Sequence, residues 1–117
     1  MRVDVRHVEK PWGHEKIFAH TDRYVGKILH IEPHQALSLQ LHRQKDETFF
    51  VLRGSIRLEV EVHGELRSLF LEVGQSYHVA PGTRHRMIAG ADGCELCEVS
   101  TPELEDVVRL EDRYGRV

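Results

Sequence analysis

Apolar and β-branched side chains recur along this chain in short runs, each about five to eight residues long, separated by Gly, Pro and Asp. Helical spacing is nearly absent. The runs predict strands at 15–20, 24–31, 36–42, 47–52, 56–62, 66–71, 76–79, 84–89 and 95–100. Pro33 stops the second of these, and Arg43 to Asp46 is a polar loop. Gly54 reads as a turn, His63-Gly64-Glu65 as a hairpin turn and Ala80-Pro-Gly-Thr83 as a tight turn. The charged remainder carries a short helical turn around Leu104 to Leu110. This pattern is that of one all-β domain over residues 1–117: an arm (1–13) anchored by Trp12, a barrel or sandwich (14–101) and a tail (102–117).

Parity sharpens the picture at 36–42. Leu37, Leu39 and Leu41 share one face of the strand, and Ser38, Gln40 and His42 share the other. The next strand, 47–52, is apolar on both faces, with Phe49 and Val51 against Phe50 and Leu52, and so calls for cover on both. If the polar stripe points inward, the leucine stripe points out and needs cover of its own. A second subunit supplies that cover most simply, so a homodimer is expected; the alternative is cover by the chain's own N-terminal strands.

Composition excludes several classes. Of 117 residues, 40% are hydrophobic and 30% charged, as in a folded soluble domain. The net charge of −3, with cations and acids interleaved, argues against a nucleic-acid partner. No apolar run is long enough for a membrane span, and no signal core opens the chain, so a cytoplasmic protein is expected. Cys94 and Cys97 stand at C-x-x-C spacing, but on a strand they point to opposite faces, and no helix start follows the first. One buried and one outward-facing thiol is the expectation.

The chemistry concentrates at four residues. Gln40 and His42, two apart on a strand, leave one face together. Glu47 opens the next strand, which returns its carboxylate to the same rim. His85 follows a Pro-Gly turn and can approach from across the barrel. Two imidazoles, a carboxylate and an amide oxygen suit one divalent ion and leave positions open for a substrate. His7, His20, His30, His34 and His63 read as surface or satisfied core histidines; His14 and His78 stay open.

These residues also fall on a known pattern. Gln40-Leu-His42 stands where cupins carry His-x-His; four residues then precede Glu47, and six more precede Gly54. Gly74, Pro81, Gly82 and His85 follow the second cupin motif. Lys10-Pro-Trp-Gly13, Ser38-Leu-Gln-Leu-His42, Ala80-Pro-Gly-Thr-Arg-His-Arg86 and Asp112-Arg-Tyr-Gly-Arg116 resemble segments of one branch, the C-terminal cupin domain of type II phosphomannose isomerases and mannose-1-phosphate guanylyltransferases. The resemblance covers about residues 10–116. It departs where Arg43-Gln44-Lys45 replaces a His-rich run, and the larger domain of the bifunctional enzymes has no counterpart in these residues.

The resemblance implies a jelly-roll barrel holding one divalent metal, with zinc first and manganese, cobalt, nickel or iron as alternatives, on Gln40, His42, Glu47 and His85. It implies aldose–ketose isomerisation of a sugar phosphate of the mannose 6-phosphate type through a cis-enediol. A base moves the proton, and Glu98 is the candidate. Arg86, in a catalytic or phosphate-binding role, and Arg116, Arg113 and Lys10 are the candidates for holding substrate phosphate. Two other readings stay open: a non-catalytic carbohydrate-binding cupin, and an iron-dependent oxygen-using cupin on His42, Glu47 and His85.

Overall fold

The computed structural model, which describes residues 1–117, is all strand, turn and loop, as the absence of helical spacing predicts. Nine strands run β1 (Arg6–Lys10), β2 (Gly13–His20), β3 (Val25–Ile31), β4 (Leu39–Leu41), β5 (Glu47–Val62), β6 (Glu65–Glu72), β7 (Ser76–Val79), β8 (His85–Ser100) and β9 (Val108–Glu111). No helix is long and apolar enough to cross a membrane.

The architecture follows from β5 and β8, each 16 residues long and paired antiparallel along their length. The start of β5 and the end of β8 join one layer, ordered β1-β2-β3-β8-β5-β7. The end of β5 and the start of β8 join the other, ordered β6-β5-β8-β4-β9. Register shifts at Val51/Arg53 and Gly54/Ile56 mark the bend between layers. Gly54 makes that bend possible. Its φ is +74°, and a Cβ there would lie 2.1 Å from the Gly93 carbonyl oxygen. Gly54 is therefore a bend inside one strand, not the expected turn, and the two strands expected at 84–89 and 95–100 are one.

Both chain ends are more ordered than their composition suggests. Residues 6–10 pair with β2 through a hairpin at Pro11-Trp12, and Trp12 sits in the core. The expected helical turn near 104–110 is instead a turn followed by β9, which pairs with β4 through Gln40↔Arg109 and Leu41↔Val108.

The core lies between the layers, built from Leu29, Ile31, Phe49, Val51, Leu58 and Leu96 among others. Strand β5 is covered on one face only. Phe49 and Val51 are fully buried, whereas Phe50 and Leu52 are each 43% exposed. The leucine stripe behaves differently from expectation as well. Leu39 is buried, Leu37 packs against the core and Leu41 is half-buried, because β8 and β9 flank β4. That stripe finds its cover within the chain, and the uncovered apolar surface lies on the outside of the first layer. The cysteines follow the strand reading: Cys94 is buried and Cys97, half-buried, points outward, with neither in a disulfide. Burial pushes the Cys94 thiol up to about 12.

Candidate metal centre and its cavity

Three elements deliver the candidate ligands to one end of the barrel. β4 leads directly into His42, β5 begins at Glu47 in the first layer, and β8 begins at His85 in the second. The side chains of His42, Glu47 and His85 are all buried, and one ligand atom from each lies within 4.8 Å of the others. His85 Nε2 is 3.1 Å and His42 Nε2 is 3.4 Å from the same Glu47 Oε1.

The far nitrogens of both rings are fixed by backbone. His42 Nδ1–H donates to the Asp106 carbonyl at 2.6 Å, and His85 Nδ1–H donates to the Thr83 carbonyl at 2.9 Å. A neutral imidazole with its proton on Nδ1 presents a lone pair at Nε2. Both Nε2 atoms are buried without a hydrogen-bond partner, and both face a carboxylate oxygen. Acceptors converging on one buried point disfavour each other unless a cation lies between them. The donor set therefore fits a divalent ion. Gln40 lies opposite His85 in the ladder and lines the same cavity as His42, and its Oε1 accepts from Ser38 Oγ at 2.7 Å.

Aspartate 106 supports the ligand loop from outside. Its carboxylate accepts the backbone N–H groups of Arg43 (3.0 Å), Gln44 (2.7 Å) and Lys45 (2.9 Å). These bonds, Gln44 first, hold the carboxyl down at about 2. The same residue thus fixes the loop between His42 and Glu47 with its side chain, and the His42 ring with its carbonyl.

Behind the ligands lies an alternating ladder of buried charges. Lys45 Nζ is 3.1 Å from Glu47 Oε2 and 3.3 Å from Glu98 Oε2. Lys27 Nζ is 3.6 Å from Glu98 Oε2 and 3.1 Å from Glu15 Oε2. Burial alone favours a neutral Lys45, but Glu98 and Glu47 together outweigh it and raise its pKa. Burial and then the nearby Glu47 carboxylate raise Glu98, and the two lysines offset this only in part. Glu98 Oε2 makes no hydrogen bond of good geometry.

This ladder borders a cavity of about 250 Å³, whose wall includes Gln40, His42, Lys45 and Glu98. Of the residues proposed from sequence to hold phosphate, Lys10 and Arg116 line it. Arg116 is gripped by Asp112 through two bonds of 2.9 and 2.8 Å. Arg86 does not reach it: being next to His85, it leaves the other face of β8 and binds Glu59 at 2.8 and 3.1 Å. Arg113 is also elsewhere, donating to the His34 carbonyl at 2.9 Å. His78 pairs with Asp46 at 2.6 Å on the surface, outside the His42-Glu47-His85 group, and His14 stacks between His7 and His30 on the outer face.

Lys45, Lys27 and Arg109 are the residues the sequence reading passed over. Arg109 lines the cavity, and its Nε is buried without a partner. Lys45, in the polar loop before Glu47, carried no local signal. For Arg109 the signal was membership of an unsuspected strand.

Known proteins resemble this chain over most of its length. Residues 2–112 match the family described as mannose-6-phosphate isomerase C-terminal. The mannose-1-phosphate guanylyltransferase ManC of Salmonella typhimurium is 34% identical over 117 residues, covering 96% of this chain and 23% of that protein. The xanthan biosynthesis protein XanB of Xanthomonas campestris is 33% identical over 115 residues, covering 95% of this chain and 24% of that protein. The chain therefore spans about a quarter of the length of these curated relatives. Among solved structures, oxalate decarboxylase from Bacillus subtilis superposes with a TM-score of 0.82 at 15% identity, over 97% of this chain and 32% of that one. KdgF from Halomonas sp. superposes with a TM-score of 0.69 at 24% identity, over 86% of each chain. The match over residues 2–112 places this chain in the mannose-6-phosphate isomerase C-terminal family, and its two-layered all-β barrel has the cupin fold.

Proposed function

We propose that this domain interconverts an aldose phosphate and a ketose phosphate of the mannose 6-phosphate type at a divalent metal, with zinc as the first choice. The observation that carries the reading is Glu98. Its buried carboxyl has a raised pKa, lies between Lys45 and Lys27, and shares a cavity with His42 and Gln40. Aldose–ketose exchange needs one group that takes a proton from C2 and returns it to C1, and a carboxyl tuned upward suits both halves. A divalent ion held by His42, Glu47, His85 and the Gln40 amide oxygen would supply Lewis-acid polarisation of the sugar's carbonyl and adjacent hydroxyl.

The remaining roles fall to the chain itself. Lys45, between Glu47 and Glu98, keeps both carboxylates oriented and supplies positive charge where the enediol oxygens develop negative charge. Arg109 and Lys10, with Arg116 beside them, offer the cations a phosphate needs at the cavity wall. Guanylyltransfer, the activity in the names of several relatives, belongs to proteins about four times as long.

The test has two independent parts. Elemental analysis of untreated protein should find a transition metal in wild type and none in His85→Ala; equal metal in both removes the ligand assignment. Metal-loaded wild type should exchange deuterium from heavy water into mannose 6-phosphate or fructose 6-phosphate. Glu98→Gln should keep its metal and lose exchange by about 10²–10⁴-fold. Absence of exchange into any hexose phosphate by metal-loaded protein overturns the isomerase reading. A ligand-dependent rise in melting temperature without turnover would then favour a binding module.

A further inference from the structure

We propose that Lys27 and Glu15 are positioning residues for proton transfer at Glu98, a buried counter-pair that fixes its carboxyl and keeps every neighbouring ion paired as the proton moves; this rests on the isomerase reading.

The starting observation is that the charge ladder has an odd number of members. Glu15, Lys27, Glu98, Lys45 and Glu47 follow one another at 3.1, 3.6, 3.3 and 3.1 Å, and all five are buried. Three carboxylates share two ammonium groups, and Glu98 is the middle carboxylate. The two outer contacts are the shorter ones, and Lys27 Nζ donates a hydrogen bond to Glu15 Oε2. While Glu98 is ionised, it lies between two ammonium groups. Once it holds a proton, Lys27 keeps Glu15 and Lys45 keeps Glu47. A buried ion stripped of its last partner is the costly arrangement, and this ladder avoids it in both states. A ladder without Glu15 would not, because a neutral Glu98 would then leave Lys27 alone.

The same contacts fix which oxygen reacts. Lys27 and Lys45 make their closest approach to one oxygen, Glu98 Oε2. They come from the two sides of β8. Lys27 is the ladder partner of Glu98 on β3, and Lys45 lies in the loop that enters β5. With Oε2 held, Oε1 is the oxygen left for substrate. In the aldose the C2–H proton passes to Oε1, its electron pair forms the C1–C2 double bond, and O1 takes the O2 proton as the carbonyl π pair moves onto it. Return of the Oε1 proton to C1, with O2 becoming the carbonyl oxygen, gives the ketose. Neither lysine gains or loses a proton. Lys45 also serves Glu47, so its role cannot be separated from the ligand group. Lys27 and Glu15 can be separated from it, and both line the cavity with Gln40 and His42.

Deuterium exchange from heavy water into mannose 6-phosphate by the metal-loaded full chain tests this, with kcat and KM measured separately. Lys27→Met and Glu15→Gln should each lower kcat by about 10²-fold, as expected of a displaced reacting group, with KM and metal content unchanged. Lys27→Arg, which keeps the charge, should retain most of the rate. Glu15→Gln combined with Lys27→Met removes one ion of each sign and leaves the ladder odd. Its kcat should therefore exceed that of either single variant, a coupling that a double-mutant cycle measures. Should Lys27→Met fail to fold, Glu15→Gln against the double variant makes the same comparison. Wild-type kcat in the single variants, a loss confined to KM, or a double variant no faster than the slower single one would overturn the proposal while leaving the isomerase reading in place. Absence of exchange in wild type would remove both.

Discussion

The inner face of the first layer changes character within two residues. At one end, β3, β8 and β5 present Lys27, Glu98 and Glu47; two positions further into the barrel the same strands present Leu29, Leu96 and Phe49. Strand geometry makes this a step of about 7 Å. Both halves are buried, and both use the same pleat and the same ladder. One half is dry core, and the other holds Glu15, Lys27, Glu98, Lys45 and Glu47 in alternating sign. Taking five charges out of water is expensive, and an apolar replacement of matched volume is often as stable or more so. A barrel selected for stability alone would have continued the leucines. The difference teaches that the charged half is kept for what it does at the ligand group, and that stability is supplied by the other half.

The comparison can be broken at several points. Lys45→Met should have the largest effect on metal-free protein, about 3–5 kcal/mol in denaturant unfolding, because it leaves Glu98 and Glu47 with too little compensation. A near-neutral result would mean that the ladder is solvated and the contrast between the halves is false. Leu96→Ala, in the dry half, should cost about 2–5 kcal/mol while leaving metal stoichiometry intact. Loss of metal in that variant would show that the halves are coupled.

Asp106→Ala sharpens the comparison at the loop. By releasing the Arg43–Lys45 amides it should weaken metal binding by about 10–100-fold, measured by competition with a chelator. It should also change the acid limb of stability. The Asp106 carboxyl is lowered in the folded protein to about 2, so its contribution is complete above its unfolded pKa of about 3.9 and is lost as pH falls toward 2. Wild type should therefore lose stability more steeply than the variant between those values. Parallel acid limbs would refute the assignment. The smallest effect is expected for Arg113→Gln, within about 0.5 kcal/mol and with unchanged metal and substrate binding, since that guanidinium meets only a surface carbonyl.

The sequence was most readable where function depends on local spacing. Gln40, His42, Glu47 and His85 could be singled out because strand parity and a Pro-Gly turn decide where such side chains point. It was least readable where burial depends on distant partners. Lys45 sits in a run of polar residues that reads as solvated loop, and it is buried only because Glu98, on another strand, lies 3.3 Å away. Arg86 and Arg113 stand on family-like segments, yet parity and local carbonyls draw them away from the cavity. Gly54 reads as a turn because the local signal for a turn and for a sharp bend is the same residue type. Which it is depends on the backbone that passes close by.

The carbonyl of Asp106 that orients His42 has a consequence for the order in which this site comes into being. During synthesis His42, Glu47 and His85 all leave the ribosome before Asp106 does. Until that residue arrives, the His42 ring is free to choose either tautomer, and the loop that follows it has no acceptor for its amides. The ligand group is thus fixed only once Asp106 has been made, after all three of the side chains it serves.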